Sequence, residues 1–171
     1  MKLNKLALAL VAGTALLGIA QTAQADAVSK KITLTAQIND GIFVSKPDGK
    51  TWYGTEELNA NDYTQTKFSR ALPIRVWTKN ADFNISLAHE LKMSNGNYEM
   101  TNAKVALGST GGEKEVKYGA TQKITQSVKG NGGYDEVHNL LISVDAPTQV
   151  GTLSTNGSYS GDLVAVFEPT P

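Results

Sequence analysis

His89 and His138 are the only imidazoles in a chain of 171 residues that contains no cysteine. Joined by Glu90, Asp135 or Glu136, they can be drawn as a two-histidine, one-carboxylate metal site, with neutral ring nitrogens and one carboxylate oxygen as ligands. They stand far apart in sequence, however, and neither sits in a metal-ligand spacing. His138, Ser143 and Asp145 supply the residue types of a nucleophilic triad, but lack the G-x-S-x-G elbow or any comparable setting that presents such a serine. Gly108-Ser-Thr-Gly-Gly112-Glu113 has the glycine density of a phosphate loop without its Lys-Ser/Thr, and Gly130-Asn-Gly-Gly133 is followed by no helix. These residues assign no catalytic group, metal or cofactor, and the chain reads as a non-enzyme. The remaining chemistry is recognition: Trp52, Tyr53, Tyr63 and Trp77 can form an aromatic platform for a glycan. The competing reading, which buried aromatics in sandwich cores favour, puts Trp77 in the core and Trp52 under a loop.

The elements that must position these groups are short and extended. Ile42-Phe43-Val44 precedes Lys46-Pro-Asp-Gly49, a strong turn sequence. Glu56 to Lys67 reads as a long polar loop, and Leu72 to Trp77 as a strand that begins at a sheet edge because of Pro73. Phe83 to His89 alternates clearly, and Tyr98-Glu-Met100, Lys104 to Leu107, Ile124 to Val128 and Asn139 to Val144 follow, separated by Gly/Asn turns. The last such segment is Leu163 to Phe167. No stretch keeps a helical period, so the expectation is one β-sandwich of seven to nine strands.

The beginning of the chain carries an export signal. Met1 to Lys5 is basic, Leu6 to Ala20 is apolar and uncharged, and Ala23-Gln24-Ala25 has the small-x-small pattern of a cleavage site. Cleavage is expected between Ala25 and Asp26; Ala25-Asp26-Ala27 offers a second position. The domain reading is therefore signal peptide 1–25, an N-terminal strand within 26–40, and a sandwich domain over 41–171. Removing Lys2 and Lys5 leaves 14 basic and 16 acidic side chains, a net charge of −2. That balance favours neither nucleic acid nor anionic lipid as a partner, and the signal's apolar stretch is too short to embed the protein in a membrane. Without cysteine there is no disulfide staple, so stability must come from burial or from neighbouring subunits.

The two ends of the exported chain look alike. In Val28-Ser-Lys-Lys-Ile32-Thr-Leu34-Thr-Ala36-Gln-Ile38, the residues Ile32, Leu34, Ala36 and Ile38 share one face of an extended strand. Leu163, Ala165 and Phe167 share one face of the closing strand, Val164 and Val166 the other, as expected inside a sheet. A strand apolar on both sides and followed only by Glu168-Pro-Thr-Pro171 implies a groove beside it. The opening strand fills a groove in its own domain, or in another subunit. Self-pairing is the more common arrangement in sandwiches.

The opening run resembles, position by position, the mature N-terminus of class 5 (alpha-class) fimbrial major subunits of the colonization factor antigen I type, whose pattern is Val-x-Lys-x-Ile-Thr-Val-Thr-Ala-x-Val. Gly157-Ser-Tyr159-Ser-Gly161-Asp-Leu163-Val-Ala-Val is similar to that family's closing strand, Gly-x-Tyr-x-Gly followed by alternating aliphatics. The segment around Ile85 and the strand Leu140 to Val144 sit where the family has core strands. The likeness departs at Asn39-Asp40-Gly41, where relatives tend to have Asp-Pro, and Trp52, Trp77 and the loop from Glu56 have no counterpart. The resemblance implies an incomplete immunoglobulin-like β-sandwich completed by a donor strand from a neighbouring subunit. Ile32, Leu34, Ala36 and Ile38 would be the inserted side chains, and Tyr159, Leu163, Val164, Ala165, Val166 and Phe167 the acceptor wall. It further implies a homopolymer, a periplasmic chaperone, an outer-membrane usher, a minor tip adhesin, and a place at the cell surface supporting adhesion to a host. The alternative is a monomeric exported sandwich that binds a glycan or a host protein.

Overall fold

A computed structural model describes residues 41–171. The signal segment, the cleavage position and the opening strand with Ile32, Leu34, Ala36 and Ile38 lie outside the described residues. Ten strands follow: β1 Ile42–Ser45, β2 Asn59–Ala60, β3 Lys67–Thr78, β4 Asp82–Leu87, β5 Thr101–Ser109, β6 Gly112–Glu115, β7 Gln122–Thr125, β8 Lys129–Gly130, β9 Gly133–Asp145 and β10 Ala165–Pro169. The larger sheet runs β1-β3-β9-β5-β6, with β2 also on β3 and β8 on β9; the smaller runs β10-β4-β7. The paired strands are antiparallel throughout.

Alternation builds the core between the sheets. Leu72, Ile74, Val76 and Thr78 point inward from β3, Leu140, Ile142 and Val144 from β9, and Phe83, Ile85 and Leu87 from β4. The register opposes Leu72 to Leu140, and Leu140 in turn to Leu107 on β5. Phe83, Ile74, Ile85, Leu107 and Ile124 are wholly removed from solvent, at about 1.5–3 kcal/mol of transfer free energy each. Among the described residues there is no helix.

Several elements differ from the sequence expectation, each for a local reason. β9 begins at Gly133, six residues before the apolar run, because its first half turns polar Glu136 and His138 toward the interior and so hides the alternation. Pro73 lies in the middle of β3, paired with Asn139. On the other side β2 covers only Ser69 and Phe68, and β1 only Arg75 to Thr78. The proline occupies the gap between them, and the Tyr53 hydroxyl donates to its carbonyl at 2.7 Å. It sits at an edge, but a local one within a central strand. The tip Gly108–Gly112 is the turn of a β5–β6 hairpin, and the strand expected at Ile124 to Val128 is centred earlier, on Gln122–Thr125.

The turn at Lys46 to Gly49 forms as read, with Gly49 N–H donating to the Lys46 carbonyl at 3.0 Å. Asp48 secures it by accepting from the backbone N–H of Lys50 and Thr51 and from the Thr51 hydroxyl. Those bonds, the hydroxyl's first, hold the Asp48 carboxyl down at about 2.

Candidate subunit-docking groove

The geometry separates the groups that were candidates for catalysis. His89 lies exposed just beyond β4, its Nδ1 3.0 Å from the Glu90 carbonyl. His138 is buried between the sheets, with Nδ1 3.3 Å from the Gly108 carbonyl, its ring edge-on to Phe83 and its Nε2 without a hydrogen-bond partner. Burial pushes its pKa down, partly countered by the Glu136 carboxylate and the Gly108 carbonyl. The pleat of β9 puts Ser143 and Asp145 on the face opposite to His138. Asp145 instead pairs with Lys67 at 3.1 Å and accepts from Asn102. Asp135 receives a two-pronged hydrogen bond from Arg75, which lowers its pKa. Glu136 accepts from Thr110 and from the Ser127 N–H.

The aromatic platform is not assembled as a unit. Trp52 and Tyr53 meet edge to face at 5.7 Å, whereas Tyr63 stands 95% exposed on the loop before β3. Trp77 lies on the outer face of β3, half-buried, donating from Nε1 to the Asn131 carbonyl. It is not a core residue, and Trp52 is half exposed rather than packed under a loop.

A different surface emerges at the border between the two sheets. β1 is an edge of the larger sheet and β10 an edge of the smaller, and they meet where Gly41 approaches Pro169. Along this border the apolar side chains are only partly buried: Ile42 and Val44 on β1, Leu163 just before β10, and Ala165 and Phe167 on it. The Phe167 ring reaches the core, 6.2 Å from Phe83, while Val164 remains 45% exposed. Val166 is half-buried on the opposite face of β10. Among the described residues β10 has one strand partner, β4, from Ala165–Leu87 to Pro169–Phe83. The strand begins two residues later than its apolar run, yet Val164 is already tied in, since its carbonyl accepts from Ala88 N–H at 2.9 Å.

The lead-in to β10 explains the Gly-x-Tyr-x-Gly pattern. Ser160 and Ser94 exchange both backbone hydrogen bonds, at 2.9 and 3.1 Å, pinning this segment to the turn before Met100. A Cβ on Gly161 would lie 1.9 Å from the Lys92 carbonyl oxygen, so only glycine permits the approach. Half-buried Tyr159 packs toward the core while its hydroxyl donates to the Thr155 carbonyl at 2.6 Å. Sequence reasoning named one wall of this surface and missed the other. Ile42 and Val44 carried a signal, since they alternate, but nothing local says that β1 and β10 border the same gap.

No curated protein matches the sequence. Among solved structures, the CooA pilin subunit from enterotoxigenic Escherichia coli superposes with a TM-score of 0.54 at 14% identity, covering 77% of this chain and 99% of that one. The chaperone–tip adhesin complex of CFA/I fimbriae matches with a TM-score of 0.48 at 14% identity, over 77% of this chain and 42% of that one. The CooA likeness establishes the fold, an immunoglobulin-like β-sandwich. The model of the CS1 type fimbrial major subunits matches residues 28–168, from the opening strand to the end of β10. The chain belongs to that family of fimbrial major subunits.

Proposed function

We propose that the fimbrium grows by donor-strand complementation, each subunit placing residues 28–38 in the groove beside β10 of the next. Ile32, Leu34, Ala36 and Ile38 enter the groove, and Leu163 to Phe167, with Tyr159, form its wall. The observation that carries this reading is the incomplete burial along the border between β1 and β10, where Ile42, Val44, Leu163, Ala165 and Phe167 pack against the core yet stay partly exposed. Four donor side chains, at about 1–3 kcal/mol each when fully buried with Ala36 at the low end, together with a ladder of backbone hydrogen bonds, make a contact that scarcely dissociates. The contact is head-to-tail, so it propagates an open filament. The role is structural rather than catalytic. Export removes residues 1–25 by cleavage between Ala25 and Asp26. A periplasmic chaperone holds the groove until an outer-membrane usher exchanges it for the donor strand, and a minor adhesin stands at the tip.

The test compares the exported chain with a version in which residues 26–38 are moved to the C-terminus through a short polar linker. Polymerisation or instability of the first, with a cooperatively unfolding monomer for the second, is the expected result. A stable native monomer that the relocation only harms would place the strand in its own domain and give precedence to a monomeric binding module.

A further inference from the structure

Donation of residues 28–38 to the next subunit, the premise on which the second interface rests, constrains how the two ends of the sandwich meet. One pole holds the start of β1 and the end of β10. It is a locked unit: Lys79 N–H donates to the Gly41 carbonyl at 3.0 Å, Asn80 to the Thr170 carbonyl at 2.9 Å, and the Thr170 hydroxyl to the Asp82 carbonyl at 2.5 Å. The other pole holds the end of β4 and the lead-in to β10. It contains two adjoining cavities, of about 570 and 650 Å³, which share Glu90, Lys92 and Tyr118. Leu91, Met100 and Val116 floor the first; His89 and Asp162 border the second. Tyr118 is a large side chain left 59% exposed there.

Chain length dictates which poles must meet. Only residues 39–41 separate Ile38, the last inward-facing donor residue, from β1. From Ile38 to Gly41 an extended chain reaches about 11 Å at most. A donor strand antiparallel to β10 runs toward Ala165 and leaves the groove beside Leu87 and Ala88, at the cavity-bearing pole. The parallel alternative would leave at the Gly41 pole. It would then crowd both neighbours of every subunit onto one pole and leave the cavity-bearing pole without a neighbour, which does not extend a linear stack. Gly41 of the incoming subunit, with Lys79 bonded to it, therefore lands at the cavities.

We propose that these poles form a second subunit interface, in which the Gly41–Lys79–Thr170 pole of one copy seats in the cavities beside Glu90, Tyr118 and Asp162 of the next. Charge agrees with this. Lys79 is exposed and forms no ion pair among the described residues, and the same holds for Glu90 and Asp162 across the contact. The occupant is a second copy of this chain, because the three-residue connection leaves no room for another.

The absence of cysteine makes the test clean. Lys79→Cys is combined with Glu90→Cys or with Asp162→Cys, filaments are assembled, and a short bismaleimide is added. After the donor-strand contacts are dissociated by heat, a ladder of covalent multimers is expected on a denaturing gel. The pair Lys79→Cys with Thr110→Cys, which sits on the β5–β6 turn, should give none. Filaments that form normally yet give no ladder from the pole pairs would overturn this interface and leave the donor strand standing. If the unsubstituted chain forms no filament, both readings fall. A charge exchange adds an independent readout. Lys79→Glu should slow assembly about threefold to fivefold, and adding Glu90→Lys with Asp162→Lys should restore it; no effect on assembly would count against the interface.

Discussion

Gly161→Ala should be among the most damaging single-methyl additions in this protein. The new Cβ would lie 1.9 Å from the Lys92 carbonyl oxygen, 2.9 Å from its carbon and 3.1 Å from the Met93 Cα. All three are backbone atoms, so no side chain can swing away. Restoring an ordinary contact of 3.4 Å requires the two backbones to part by about 1.5 Å, which breaks the neighbouring pair of hydrogen bonds between Ser94 and Ser160. Two backbone bonds at about 1 kcal/mol each, with residual strain, give a loss of about 2–4 kcal/mol. A domain of this size has about 5–15 kcal/mol in total. Gly54→Ala is the matched control, because a Cβ there meets nothing within 4 Å. Both substitutions restrict the unfolded chain equally and should stabilise by about 0.4–1 kcal/mol through that route alone. Urea unfolding of the strand-relocated monomer measures the difference. Unfolding free energies for the two variants that agree within about 0.5 kcal/mol would refute the close approach, and with it the account of the Gly-x-Tyr-x-Gly pattern.

His138 makes stability depend on pH with a definite sign. Its folded pKa is held below the ordinary value by burial, so on acidification the unfolded chain takes up the proton first. Its contribution is intact above about 6.5 and is lost as pH falls from there through the lowered folded value. The stability gap between the relocated monomer and its His138→Gln variant should therefore shrink from pH 7 to pH 5 in chemical denaturation; a pH-independent gap would argue against a neutral buried ring. Tyr53→Phe removes the hydroxyl that serves the Pro73 carbonyl and should cost about 1 kcal/mol in the same assay. No change would mean that water replaces the bond fully at this half-buried site.

Legibility in the sequence followed burial on one face. β4 alternates without interruption and the second half of β9 is a continuous apolar run, and both stand where those patterns place them. The first half of β9 escaped because Glu136 and His138 face inward, a choice that depends on Thr110 and Gly108 of a different hairpin. β6 escaped because all four of its residues are exposed, so no apolar face marks it. Trp77 deceived for the converse reason. A large aromatic implies core, yet the pleat that buries Val76 and Thr78 turns Trp77 outward. One wall of the candidate groove was readable as an apolar run at the end of the chain. The other required the topology, which alone brings β1 beside β10.

The distribution of guarding residues along β10 bears on where a strand can be added. Edge strands are commonly protected by charges, proline or bulges, because unpaired backbone groups invite pairing with other chains. From Leu163 to Phe167 this edge carries none of them, only apolar side chains. The charge and the proline come together immediately after, at Glu168 and Pro169, both exposed, with Pro169 unable to donate to a ladder. At the other end the apolar run stops at Asp162, an exposed charge, and Gly161 is held against Lys92. Protection is thus absent over the apolar run and present on either side of it. An edge left open by chance would have no such limits. An edge built to take one strand in a fixed register needs both.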